Sequence, residues 1–313
     1  FTGQELGGMN SQELAQAASA GVVFARVAPE QKLRLVEALQ SKGEIVAMTG
    51  DGVNDAPALK QADLGIAMGI TGTEVAKEAA DMILTDDNFA SIETAVQEGR
   101  TVYQNLLKAI AFILPVNGGE SLTILVGVLL GTALPILPLQ ILWVNMVSSV
   151  ALTVPLAFEP SSKTVMSLPP RNPHERLLSG SLLRRILVIS VFNLIVIFGL
   201  FEWIQQTTEN TSLARTMAVN ALVAAEAFYL LSISHFVPTL LANRRGKAKS
   251  IGYAPASGII CVVILQVVFT QWSLMNQLFD TVPLTFGQAA ICIGAALPIV
   301  IVALLLKRFA PMK

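Results

Sequence analysis

Thr49-Gly50-Asp51-Gly52-Val53-Asn54-Asp55-Ala56-Pro57-Ala58-Leu59 decides how the first third of this 313-residue chain folds. Just before it, Glu44-Ile45-Val46-Ala47-Met48 reads as a strand that ends at Thr49-Gly50-Asp51-Gly52. Two aspartates and an asparagine thus leave the end of a buried strand, on a loop whose glycines let the backbone approach a ligand closely. Working outward, Val22-Val23-Phe24-Ala25 is expected to be a strand. Pro29 opens a helix through Leu39, with Leu33, Val36 and Leu39 on one face. A short helix follows from Asn54, then a strand at Leu64-Gly65-Ile66-Ala67-Met68. Thr73 can cap a helix containing Glu74 to Ala80, and Met82-Ile83-Leu84 is a further strand. This alternation implies a parallel sheet with helices on both faces and functional loops at the strand C-termini.

A lone Asp-Gly would be a turn, but an eleven-residue run of this composition after a strand is a site. Its hard oxygen ligands suit Mg²⁺ with phosphate, because Mg²⁺ keeps several waters and takes only one or two carboxylates.

Composition divides the chain in two. The mean hydropathy is +0.62 and only 14% of residues are charged, against roughly a quarter in soluble domains. Residues 1 to about 100 mix charged and apolar types, and nearly all long apolar runs come later, so one soluble domain joined to one membrane domain is expected. A net charge of -1 without a basic tract gives no reason to expect a nucleic-acid partner. Cys261 and Cys292 lie inside apolar runs and read as packed hydrophobes, not a disulfide. The start at Phe1-Thr2-Gly3 suggests a piece of a larger protein.

A membrane span needs roughly 20 mainly apolar residues. Six stretches qualify, at about Leu106–Gly131, Pro138–Phe158, Ile186–Trp203, Met217–Phe236, Ser257–Trp272 and Phe286–Leu306. Arg171, Arg176, Arg184 and Arg185 follow the second, Arg244, Arg245, Lys247 and Lys249 the fourth, and Lys307, Arg308 and Lys313 the sixth. The loops after the first and fifth have no Lys or Arg, and the loop after the third has only Arg215. The positive-inside rule then puts the soluble domain, both basic loops and the C-terminus in the cytoplasm.

Polar residues inside these spans are the informative ones, since a charge at mid-bilayer costs at least ~2.5–3.5 kcal/mol. The first span holds Pro115-Val116-Asn117-Gly118-Gly119-Glu120, where the proline and glycines are expected to weaken the helix and free carbonyls beside Asn117 and Glu120. The second holds Asn145, Ser148 and Ser149, and the fourth Glu226. Together they suggest a hard-cation site between broken helices. Interhelical hydrogen bonding is the alternative use of the same residues.

At these motifs the chain resembles the P-type cation-transporting ATPases of the haloacid-dehalogenase-like superfamily. Thr49 to Leu59, Asp63-Leu64-Gly65-Ile66-Ala67-Met68-Gly69 and the lysine segment Ala28-Pro29-Glu30-Gln31-Lys32 carry the likeness. The resemblance implies a haloacid-dehalogenase-like, Rossmann-like α/β partial domain over 1–103, the C-terminal part of a phosphorylation domain. A helical bundle over 104–313 would be the last six transmembrane helices of the pump. In the family an aspartate of a DKTGT motif is phosphorylated by ATP. By resemblance Asp51 would ligate Mg²⁺, with Thr49, Gly50, Asn54 and Asp55 organising the phosphoryl site together with Asp51. Lys32 would hold the phosphate charge. No DKTGT occurs here, so the chain alone is expected to be inactive. The ATP-binding domain would belong to a missing N-terminal part of the same pump.

Asn117 and Glu120 match the family's ion-binding pair, Leu142-Trp143-Val144-Asn145 its next ion-binding helix, and Thr216-Met217-Ala218 with Glu226 resembles the eighth helix of calcium pumps. Where calcium and sodium–potassium pumps carry an aspartate, this chain has Ser148 or Ser149. Two intramembrane acids then remain. At most one divalent ion per cycle is expected, with Ca²⁺, Na⁺ or another cation open. The compact loops and the lack of organelle signals suggest a multi-pass protein of a bacterial-type plasma membrane. A membrane-anchored phosphatase of the same superfamily and a non-enzymatic channel or regulatory subunit are the competing readings. An anchor has no need of polar residues clustered in three spans.

Overall fold

The structure, a computed structural model, describes all residues except 21–22, 163, 173–175, 245–251 and 310–313. It has two compact units, Phe1–Gln97 and Glu98–Lys313. The first holds a three-stranded parallel sheet in the order β1 (Ala47–Gly50), β2 (Leu64–Met68), β3 (Met82–Leu84). Helices α1 (Gly3–Gly7), α2 (Ser11–Ala20) and α3 (Pro29–Ser41) precede it, and α4 (Ala56–Gln61) and α5 (Glu74–Ala79) connect its strands.

Local chemistry sets the boundaries. Pro29 takes the first turn of α3, where its missing N–H costs nothing, and Gln31 Oε1 reaches back to the Ala28 N–H at 3.0 Å. Thr73 Oγ accepts from Ala76 N–H at the start of α5. β1 begins later than the apolar run because the Val46 N–H is taken by Asp63 Oδ2 at 2.9 Å, so the ladder starts at Ala47 opposite Leu64. The strand then runs on through Thr49 and Gly50, into the quoted motif.

Two sequence expectations change here. The extended stretch ending at Ala25 forms no strand of the sheet among the described residues. It makes one bridge to Thr2, and Phe24 packs instead on the cluster around Leu6 and Leu14. Helices on both faces were also expected, yet α4 and α5 touch each other as well as β2. Two right-handed crossovers that step the same way across a sheet must share one face.

Among the described residues six helices are long and apolar enough to cross a membrane: α6 (Phe89–Leu130), which begins in the first unit, and α7 (Pro138–Ala157), α8 (Gly180–Thr208), α9 (Thr211–Ile233), α10 (Ala254–Gln271) and α11 (Phe286–Phe309) in the second. The chain is an integral, multi-pass membrane protein. The helices outrun the apolar windows because charged residues end a span without ending a helix. At 1.5 Å per residue, the 42-residue α6 is about 63 Å long, roughly twice the hydrocarbon thickness. Two-thirds of the apolar window of α9 is buried, against 44% or less in the other five, so α9 is the central helix. Cys292 is buried, whereas Cys261 is exposed on α10; both are free thiols.

Each proline inside a span leaves an orphan carbonyl four residues earlier. Pro115 orphans the Ala111 carbonyl, and the Tyr229 hydroxyl on α9 donates to it at 2.8 Å. The Pro115 carbonyl itself accepts from Ser190 Oγ of α8 at 3.0 Å. The expected break in the first span is therefore absent: α6 is continuous through Glu120, and these two carbonyls are not free for a cation. Tyr229→Phe should leave the Ala111 oxygen unpaired and cost about 1–3 kcal/mol, read as a lowered Tm in detergent. Pro155 orphans Ala151, and there α10 comes close through Gly258. A Cβ on that residue would stand 2.5 Å from the Ala151 oxygen and 2.7 Å from Pro155 Cγ.

Lys108 Nζ of α6 and Glu159 Oε2, just after α7, form a buried ion pair at 2.6 Å. Glu159 Oε1 accepts the His235 N–H at 2.9 Å and Asn105 donates to the Glu159 carbonyl at 2.8 Å, so the buried acid is fully paired. This ties α6 to the segments that follow α7 and α9. Arg185, read from sequence as a loop charge, is fully buried in α8. Arg215 pairs with Asp280 at 3.2 Å and donates to the Leu134 carbonyl at 3.1 Å. Residues 245–250 of the second basic loop lie outside the described residues.

Candidate functional site

The quoted loop opens at the C-terminal end of β1. Thr49 and Gly50 stand opposite Ile66 and Ala67 in β2, and Val53–Asp55 turns as a 3₁₀ segment into α4. Asp55 is the organiser. It is only 5% exposed; its Oδ1 meets the Lys32 ammonium at 2.5 Å, and its Oδ2 accepts from the N–H groups of Asp51 and Gly52, both at 3.3 Å. Gly50 is required by this closeness, because a Cβ there would sit 2.5 Å from Asp55 Cβ. On its other side the Asp51 carbonyl accepts the Thr73 N–H at 2.8 Å.

Burial alone would raise the Asp55 pKa, but the Lys32 ammonium and the Gly52 and Asp51 amides outweigh it and hold the carboxyl below its ordinary value. A depressed folded pKa stabilises above the unfolded value, about 3.9, and is lost as pH falls through the folded one. Amide-exchange protection at Asp51 and Gly52 should therefore stay level from about pH 8 to about pH 5. A loss within that range would show that Asp55 is not held by Lys32.

Asp51 and Asn54 are both exposed at this loop. The Asp51 carboxylate has no hydrogen bond or ion pair among the described residues, so it is free to take a ligand. Asp55 has both oxygens occupied within the protein. The donor set thus fits Mg²⁺ through Asp51, with waters completing the shell, and makes Asp55 the support of the loop.

The second cluster lies between α6, α7 and α9. Asn145 Nδ2 donates to Glu120 Oε2 at 2.8 Å. Ser148 Oγ lies 2.6 Å from Glu226 Oε2 and 2.7 Å from the Val144 carbonyl, with one proton to share between them. Val144–Ser149 of α7 is a π-helical turn, a local widening that often marks functional positions. It brings Asn145 and Ser148 to the acids of the two neighbouring helices. Glu120 Oε1, Glu226 Oε1 and Ser149 Oγ are buried without a partner. Asn117 is not part of this group; it is exposed on α6.

Sequence reading missed Tyr229, Ser190 and the Lys108–Glu159 pair. A lysine at the edge of an apolar run was the available signal for the last, and the hydroxyls gave none.

Comparison with known proteins gives the context. The family described as cation transporting ATPase, C-terminus, matches residues 133–309. The haloacid dehalogenase-like hydrolase family matches residues 9–63. The chain is 59% identical over 313 residues to the cation-transporting ATPase pma1 of Synechocystis sp., covering 99% of this chain and 35% of that protein. It is 49% identical over 287 residues to the probable cation-transporting ATPase F of Mycobacterium tuberculosis, covering 92% and 31%. A calcium-transporting ATPase 1 of Bacillus cereus is 45% identical over 255 residues, covering 80% and 28%. The chain spans about a third of the length of these curated relatives.

Proposed function

Because this chain belongs to the P-type cation-transporting ATPase family, we propose that it is the C-terminal part of an ATP-driven pump. Residues 1–103 supply part of the phosphorylation domain and 104–313 the last six membrane helices. The complete protein forms an aspartyl phosphate from ATP and couples its hydrolysis to cation transport across a bilayer. Asp51 binds Mg²⁺, which neutralises charge on the transferred phosphoryl group. Asp55 and the close turn at Thr49 and Gly50 fix the Asp51 backbone, Asn54 faces the incoming group, and Lys32 holds Asp55 and lends positive charge. ATP binds in the N-terminal part of the same protein.

The observation that carries the reading is the buried pair Glu120 and Glu226, each with one oxygen bonded and one unpartnered. Two such acids inside apolar helices need a proton, a partner or a cation. With Asn145, Ser148 and Ser149 they offer only hard oxygen donors, which suit Ca²⁺ or Na⁺. The Arg and Lys excess after the second, fourth and sixth spans supports a cytoplasmic soluble unit and C-terminus, and the compact loops support a bacterial-type plasma membrane.

The test is the complete protein in proteoliposomes, assayed for ATP-dependent uptake of Ca²⁺ and of Na⁺ alongside phosphoenzyme formation. Uptake of one ion with phosphorylation stimulated by that ion is expected. Phosphate turnover indifferent to every cation would favour a tethered phosphatase instead.

A further inference from the structure

Asp87 lies after β3, away in sequence from the Asp51 loop, with a left-handed backbone at φ 48°. Its carboxylate gathers the turn that follows β2. Oδ1 accepts the N–H groups of Gly69 at 2.7 Å and Ile70 at 3.0 Å. Oδ2 accepts the Thr71 N–H and hydroxyl, both at 2.8 Å. Four hydrogen bonds to one half-buried carboxylate exceed what a chain turn requires. Thr73 comes next, and it gives its N–H to the Asp51 carbonyl at 2.8 Å. One side of the Asp51 backbone is thus fixed by Asp55, and the other by a turn that Asp87 closes.

We propose that Asp87 is a positioning residue for phosphoryl transfer: it holds the turn 69–71 and through Thr73 seats Asp51. This rests on the reading of Asp51 as the Mg²⁺ carboxylate. The Ile70 amide first, and with it the Thr71 and Gly69 donors, draw the Asp87 pKa down to about 2 against the opposing desolvation. The clamp therefore stays ionised, and closed, throughout the range in which such an enzyme works.

The left-handed backbone makes the test clean. Asparagine tolerates that conformation and keeps one acceptor oxygen, while glycine adopts it freely and keeps none. In the complete protein, Asp87→Gly should raise the Mg²⁺ concentration for half-maximal phosphorylation from inorganic phosphate by about tenfold, the lower end for partners that orient metal ligands. The level reached at saturating Mg²⁺ should change little, and amide exchange at residues 70–73 should quicken. Asp87→Asn should fall between Asp87→Gly and wild type, and it carries the same comparison should the glycine variant fail to fold. Wild-type Mg²⁺ dependence in both variants would overturn the assignment, as would a fall in maximum level with no change in Mg²⁺ dependence. Asp51→Asn run alongside separates the two claims. If it also leaves Mg²⁺ dependence unchanged, the reading of Asp51 fails; if it alone shifts it, only the role of Asp87 fails.

Discussion

Asp51→Ala in the complete protein is expected to slow phosphoenzyme formation by about 100- to 1000-fold while equilibrium cation binding is unchanged. The magnitude is that of losing one fixed electrostatic partner of a transferring group. The Asp51 loop is held by Asp55 on one side and by the Thr73 amide on the other, both through the Asp51 backbone. Its carboxylate takes no part in that scaffold, so alanine removes a ligand and leaves the loop standing. Asp55→Ala is a different experiment. It strips the Lys32 ammonium and two amides of their acceptor, so the loop loosens and phosphorylation falls with it. Incorporation of labelled phosphate from ATP measures both, and wild-type turnover in either variant would show that the loop is only structural.

Glu120→Gln is expected to weaken cation stimulation of ATPase activity by at least about tenfold, because site affinity follows the number of charged ligands. Phosphorylation from inorganic phosphate should stay largely intact, since that reaction uses the Asp51 loop in the other unit. Glutamine preserves the size of the side chain and can still accept from Asn145, so packing is spared. Glu226→Gln should be milder if that acid supplies only one outer ligand. The Ca²⁺ or Na⁺ concentration for half-maximal activity reads this directly. An unchanged value in Glu120→Gln would remove the acid from the cation's path.

Much of this was legible in residues alone. β2 and β3 fell where their β-type runs lay, and Pro29 and Thr73 announced their helices. Six spans followed from apolar length, which hydrocarbon thickness fixes. The soluble site was legible because its motif is contiguous and follows a strand. What sequence could not supply was pairing. A run ending at Ala25 looks like a strand until it is seen that its partner is a single residue, Thr2. Pro115 looks like a break until the Tyr229 hydroxyl is found on the orphaned carbonyl of Ala111, 118 positions from it. The π turn at Val144–Ser149 has no period that distinguishes it from α-helix in so short a window. Asp87 was invisible for the same reason: its four bonds reach back 16 to 18 positions, three of them to backbone amides that carry no side-chain signature.

The central claim is that the acids of α6 and α9 hold the transported ion, and charge sets how many ions they can hold. Two carboxylates balance one divalent cation, and Ser148 and Ser149 add no charge to neutralise a second. Equilibrium binding of Ca²⁺, and separately of Na⁺, to the complete protein should be counted against its phosphorylation sites. At most one divalent ion per site is predicted, and binding should be lost when Glu120 and Glu226 are both replaced by glutamine. Two tightly bound Ca²⁺ per site, or binding that survives the double replacement, would contradict the account.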